Sequence, residues 1–208
     1  MNLAVSILGI INDQQKINKL DLDSVKYIHL DVMDGKFVEN IKLPDNQIIY
    51  HKPVDIHLMA YDIDKYLTYY QNLDINNITF HYEIGDVLNN INLIKSHNIK
   101  VGIAINPKTS INEILPYLDK INLLLIMSVE PGKGGQPFIE DTIDKINYFN
   151  DYRKLNNLNY LIEVDGGIND KIIKKLNADI IVVGNYITAA NNYQDQIVKL
   201  VKEWKEYL

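Results

Sequence analysis

In the stretch 27-YIHLDVMDGKFVEN-40 an apolar pattern and a polar one share a single strand. Ile28, Leu30 and Val32 are apolar and β-prone, so Tyr27 to Met33 reads as a buried strand. Side chains alternate along a strand, which puts His29, Asp31 and Met33 together on the opposite face. Asp34-Gly35 then signals a turn. An imidazole and a carboxylate therefore lie on one face at the end of a buried strand. A charged carboxylate is costly to bury unless it is paired or bound to a metal. A chain that needed only a core would carry Val or Ile there.

Further segments repeat the arrangement. Strands are expected over 3–8, 54–59, 77–82, 100–106, 122–129, 160–164 and 180–183. Helical spacing appears over 13–20, 61–73, 86–97, 111–118, 139–155, 171–176 and 193–207. The weakest unit is the second, where only a short segment around Gln47–Tyr50 separates two strands. Near-continuous apolar strands alternating with helices indicate a parallel sheet covered on both faces. Eight such units make an α/β fold of the (β/α)8 TIM-barrel type, one domain over residues 1–208, with an open doubly wound sheet as the alternative.

Bulk composition narrows the function. Of 208 residues, 47% are hydrophobic and 23% charged, as in an ordinary globular protein. There is no Cys, which excludes disulfides, thiolate metal sites and a cysteine nucleophile. The net charge of −6 and the lack of a basic cluster argue against nucleic acid as a partner. No apolar run is long enough for a membrane span, and Met1-Asn2-Leu3 does not begin a signal peptide; a cytoplasmic location is expected.

The unusual polar residues fall at the C-terminal ends of the strands, the face on which barrel enzymes build their sites. They are Ser6, His29 with Asp31, His57, His81, Asn106, Ser128, Asp165 and Gly184-Asn185. His29, Asp31, His57 and Asp165 offer only nitrogen and oxygen ligands, a set suited to one divalent ion such as Zn2+, Fe2+ or Mn2+. His81 is expected to be structural or to support a ligand; His51 and His97 read as surface residues. Asp31 and Asp165 come from strands across the mouth. Two carboxylates approaching one carbon from opposite sides can remove a proton beside a carbonyl and return one to the other face, inverting the centre. A metal would stabilise the charge that develops.

Glu130-Pro-Gly-Lys-Gly-Gly-Gln136 presents closely spaced backbone N–H groups, the makings of an anion nest. Gly166-Gly167 and Gly184-Asn185 follow the last two strands, where barrels frequently bind phosphate. A small phosphorylated ketose or similar carbonyl compound is the expected substrate. Met33, Met59 and Met127 also sit at strand ends, at a level where they would form an apolar lid over the reacting carbons.

These motifs together resemble the ribulose-phosphate 3-epimerases. The matching pieces are Ser6-Ile-Leu8, His29-Leu-Asp-Val-Met-Asp-Gly35, Asp55-Ile-His-Leu-Met59, Ile78-Thr-Phe-His81, Asn106-Pro-Lys-Thr109, Met127-Ser-Val-Glu-Pro-Gly132, Gly134-Gly-Gln136 and Glu163-Val-Asp-Gly-Gly-Ile-Asn169. They run in order through nearly the whole chain. The resemblance implies interconversion of D-ribulose 5-phosphate and D-xylulose 5-phosphate in the pentose phosphate pathway. It implies metal ligands at His29, Asp31, His57 and Asp165, with Asp31 and Asp165 as the acid/base pair. Ser6 and His57 would contact the sugar, and Met33, Met59 and Met127 would line the reacting centre. Gly132, Lys133, Gly134, Gly135, Gly166, Gly167, Gly184 and Asn185 would hold the phosphate. Self-association fits the family, with no interface legible in the residues.

The chain departs from the family pattern at Val5 and Glu39, where Pro is usual, at Lys133 for Phe, and at Asn185 for Ser. Lys133 would add a positive charge beside the phosphate nest. Two other readings compete: a hexulose-phosphate (allulose 6-phosphate) 3-epimerase, against which Gly134 and Gly167 speak, and a barrel that binds sugar phosphates without catalysis.

Overall fold

The computed structural model describes residues 2–205. Its centre is a ring of eight parallel strands: β1 (Asn2–Ser6), β2 (Tyr27–Asp34), β4 (Val54–Met59), β5 (Ile75–His81), β6 (Lys100–Ile105), β7 (Leu123–Met127), β8 (Leu161–Asp165) and β9 (Ile180–Val183). β1 pairs with both β2 and β9, so the sheet closes on itself. The strand between, β3 (Ile41–Lys42), is a two-residue antiparallel addition that folds back on Met33 and Asp34.

The Asp34-Gly35 turn makes that addition. Gly35 has φ +74°, and a Cβ there would lie 2.6 Å from Ile41 Cγ1. The carboxylate of Asp34 accepts from the N–H groups of Lys36 and Phe37, at 2.8 and 2.9 Å.

Helices α1 (Gln14–Asn18), α2 (Ile63–Tyr70), α3 (Val87–Ser96), α4 (Ile111–Ile114), α5 (Thr142–Leu155), α6 (Asn185–Thr188) and α7 (Tyr193–Lys205) connect the strands. Asp13 and Asp62 start α1 and α2 by accepting from the N–H groups of Lys16 and Lys65, and Ser110 with Glu113 forms a capping box on α4. Several boundaries differ from the sequence reading. The segment 171–176 forms only a 3-10 turn, Ile173–Lys175, and no helix or strand forms at Gln47–Tyr50. The first strand ends at Ser6, because Leu8–Ile10 turns as a 3-10 helix. The loop after β9 holds the short α6. The expected end of the last helix at Tyr207 lies outside the described residues, as does Met1.

Alternation along the strands divides the interior in two. Ile28, Leu30 and Val32 belong to the large apolar layer between ring and helices. The opposite face points into the ring, and there the lining is uneven. Ala4, Ala104, Leu123, Leu125, Met127, Ile180 and Val182 form a small apolar cluster. Facing them are His29, Asp31, Asp55, His57, Asn77, Thr79, His81 and Glu163, all buried. A barrel stabilised by packing alone would fill those positions with branched aliphatics; β2, β4 and β5 instead commit their inner face to polar groups.

Candidate active site

Four side chains from three strands converge at the mouth. β2 contributes His29 and Asp31, β4 contributes His57, and β8 contributes Asp165. One ligand atom from each lies within 4.8 Å of all the others. Asp31 Oδ1 is 3.7 Å from His29 Nε2 and 3.4 Å from His57 Nδ1. Asp165 Oδ2 is 3.8 and 3.9 Å from the same two nitrogens. Both nitrogens are buried and have no hydrogen-bond partner among the described residues. Unpartnered buried nitrogens are costly, and two of them aimed at two carboxylates are what a cation site requires. The donor set fits one divalent metal.

The outer nitrogens of both imidazoles are occupied. His29 Nδ1 lies 2.7 Å from Asp55 Oδ2, and His57 Nε2 lies 2.8 Å from His81 Nε2. Asp55 is steadied by the Asn77 amide, which also reaches Thr79 Oγ1 at 3.1 Å. Glu163 lies deeper, fully buried, its Oε1 4.0 Å from His29 Nδ1.

The carboxyls are pushed apart electrostatically. Burial works to raise Asp31, but the charge of the neighbouring His29 outweighs it and holds the carboxyl well below the usual range. Burial raises Asp165 to about 7, helped by the charge on Asp31 and opposed by His29. Burial and then Asp55 push Glu163 well above the ordinary glutamate value. Burial disfavours a charge on His29, yet Asp55 and Asp31 overcome it and raise that ring; burial lowers His57.

Above the cluster a cavity opens, lined by Ser6, Asp31, Met33, Met59, Met127 and Asp165, and by the loops 130–136, 166–168 and 184–186. His29 and His57 lie behind the carboxylates with no exposed surface and are not among the lining residues. Ser6 turns its hydroxyl to Asp31 Oδ2 at 2.6 Å.

The three glycine-bearing loops pack against one another. A Cβ on Gly135 would lie 2.8 Å from the Asn185 amide, and one on Gly166 2.6 Å from Val129 Cγ2. Ser128 Oγ is within hydrogen-bond distance of the carbonyls of Asp165 and Gly166, at 2.9 and 2.7 Å. Gln136 Nε2 donates to the carbonyls of Glu130 and Lys133, at 2.6 and 2.8 Å, bracing the loop from inside. Asn40, in the segment between β2 and β3, donates to the Gly132 carbonyl at 2.7 Å. Lys133 is exposed at the cavity rim.

Asp55, Asn77, Glu83 and Glu163 were not singled out among the chemistry-bearing residues of the sequence. The signal for two of them was present: Asp55 precedes His57 by two, and Glu163 precedes Asp165 by two, so each shares its neighbour's inward face.

Fold and site together define a (β/α)8-barrel enzyme with a candidate divalent-metal centre beneath a rim of glycine-bearing loops. The chain belongs to the ribulose-phosphate 3-epimerase family, whose pattern matches residues 2–188. A ribulose-phosphate 3-epimerase of Buchnera aphidicola subsp. Baizongia pistaciae is 39% identical over 178 residues, covering 80% of this chain and 78% of that one. The Aquifex aeolicus ribulose-phosphate 3-epimerase is 37% identical, covering 83% and 82%. Among solved structures, 3-hexulose-6-phosphate synthase from Salmonella typhimurium superposes with a TM-score of 0.70 at 16% identity, covering all of both chains, a likeness of fold alone. Among the described residues no helix is long and apolar enough to cross a membrane.

Proposed function

We propose that this enzyme, an isomerase, interconverts D-ribulose 5-phosphate and D-xylulose 5-phosphate by proton transfer at C3 between Asp31 and Asp165. The observation that carries the reading is the pair of carboxylates, brought from β2 and β8 to the same two unpartnered histidine nitrogens. One carboxylate takes the C3 proton on one face of the substrate; the other delivers a proton to the opposite face. Ser6, hydrogen-bonded to Asp31, orients that carboxylate and stands next to the sugar. Met33, Met59 and Met127 line the cavity over the reacting carbons with apolar surface and exclude bulk water there.

His29, Asp31, His57 and Asp165 would hold the divalent ion, with Zn2+, Fe2+ and Mn2+ all compatible with two nitrogens and two carboxylates. Such an ion, when bound, supplies positive charge opposite the negative charge that develops as C3 loses its proton. The backbone N–H groups of 132–135, with the loops at 166–167 and 184–185, would receive the phosphate, and Lys133 would add a cation at the rim.

The test is conversion of D-ribulose 5-phosphate in D2O, followed by NMR, before and after chelation and with Zn2+, Fe2+ or Mn2+ restored. Turnover with deuterium at C3, lost on chelation and regained with metal, is expected. No turnover with any restored ion would overturn the reading; turnover of a hexulose 6-phosphate instead would reassign the substrate.

A further inference from the structure

His81 ends β5 and is fully buried. Its Nε2 lies 2.8 Å from Nε2 of His57, and its Nδ1 lies 3.0 Å from Oε2 of Glu83. Two imidazole nitrogens at that separation share one hydrogen, so one ring donates and the other accepts. Glu83 decides which. Its other oxygen, Oε1, accepts from the Asn106 N–H at 2.9 Å and from the Thr109 hydroxyl. An ionised carboxylate only accepts, so His81 must carry its hydrogen on Nδ1. A neutral ring protonated there has a lone pair on Nε2. His57 must then donate from its own Nε2, which leaves the lone pair on Nδ1. That is the atom facing Asp31 and Asp165 at 3.4 and 3.9 Å without a partner.

We propose that Glu83 and His81 are positioning residues that fix the tautomer of His57, keeping its Nδ1 free to ligate a divalent cation. The proposal rests on the reading that His29, Asp31, His57 and Asp165 form a cation site. His29 has a carboxylate partner directly, Asp55 on its Nδ1. For His57 the carboxylate is one ring further away, and hydrogen-bonded partners of this kind commonly set ligand orientation.

The surroundings favour this assignment. Only Nδ1 of His81 meets a carboxylate; its Nε2 meets the His57 ring, and the two rings stack with centroids 5.0 Å apart. Burial would raise Glu83, but hydrogen bonds from His81, Thr109 and Asn106 hold it at about 2, as a carboxylate. Phe37 covers His81 with its ring centroid 4.6 Å away. Lys145 of α5 donates to the carbonyls of Pro107 and Thr109, each at 2.7 Å, and so anchors the loop that holds Glu83.

Glu83→Gln separates this role from a merely structural one. The amide oxygen can stay on the Asn106 and Thr109 donors, and the NH2 group then meets His81 Nδ1 with a donor where an acceptor stood. The chain reverses, and His57 carries its hydrogen on Nδ1. Two readouts follow, both on metal-free protein brought to defined Zn2+. Histidine-ring 15N NMR of the parent should show His57 protonated on Nε2 and His81 on Nδ1, and E83Q should show both exchanged. Zn2+ affinity, measured by competition with a chromophoric chelator, should fall about 10–100-fold in E83Q with its metal-free melting temperature retained. In an His81→Phe background, adding E83Q should change Zn2+ affinity no further.

A parent His57 protonated on Nδ1 overturns the proposal, whether or not E83Q folds. A folded E83Q that binds Zn2+ within about twofold of the parent also overturns it, twofold being far short of the loss expected of such a partner. A parent that binds no divalent cation at all defeats the metal reading instead.

Discussion

Asp31 and Asp165 approach the same imidazole nitrogen from two strands: His29 Nε2 lies 3.7 Å from Asp31 Oδ1 and 3.8 Å from Asp165 Oδ2. In the ring β1 and β9 stand between β2 and β8, so the two carboxylates face each other across part of the mouth rather than along one wall. On the proposed mechanism, a substrate carbon above them would be reached from both sides.

On the proposed mechanism, neutralising either carboxylate would remove one of the two proton carriers. Asp31→Asn and Asp165→Asn should each lower kcat by about 10²–10⁴, the usual share of a general acid or base. Steady-state conversion of D-ribulose 5-phosphate checks this, with bound metal quantified in each variant. Near-normal turnover by either one would rule out the two-carboxylate route.

The packed glycine loops make a second expectation. Gly167 has φ +65°, and a Cβ there would lie 2.8 Å from Phe138 Cα and 2.9 Å from the Gln136 carbonyl oxygen. Gly167→Ala should cost about 1–3 kcal/mol and raise KM, because the 130–138 loop must move away. Gly134→Ala is the contrast. Its nearest neighbour would be Leu8 Cδ2 at 3.5 Å, so stability should change by no more than about 0.5 kcal/mol. Urea unfolding of both variants separates the two.

Lys133 stands at the rim as an exposed cation. Lys133→Phe should raise KM for the phosphorylated substrate about two- to fivefold, the scale of one solvent-screened charge. The difference should shrink at 0.5 M salt. A KM unchanged at low salt would show that the backbone amides carry the phosphate alone.

His81 should make the protein acid-sensitive. Its folded value is about 4, against 6.5 for an unperturbed histidine. The unfolded chain therefore takes up a proton that the folded one refuses. The stabilising contribution is full above pH 6.5 and is lost as pH falls toward 4, amounting to about 3 kcal/mol. The groups facing the ring are His57 and Glu83. Urea unfolding of metal-free parent and His81→Phe between pH 7.5 and 4 should give a steeper decline for the parent; parallel curves would contradict this.

The sequence by itself determined the barrel and the four-residue cluster, for a simple reason. Alternation along a strand is local, so His29, Asp31 and Met33 had to share a face, and apolar runs separated by helical spacing had to form a covered parallel sheet. The weak elements were less legible. The helix expected at 171–176 shortened to a 3-10 turn, and β3 formed where no strand pattern exists, because two residues are held only by pairing with Met33 and Asp34. What tertiary structure alone decided is which buried polar groups meet. His57 touches His81, and Glu83 touches Asn106 and Thr109, through pairings 23 to 26 residues apart in the chain. Hydrogen bonds act over about 3 Å and depend on register between neighbouring strands, a quantity no single strand contains.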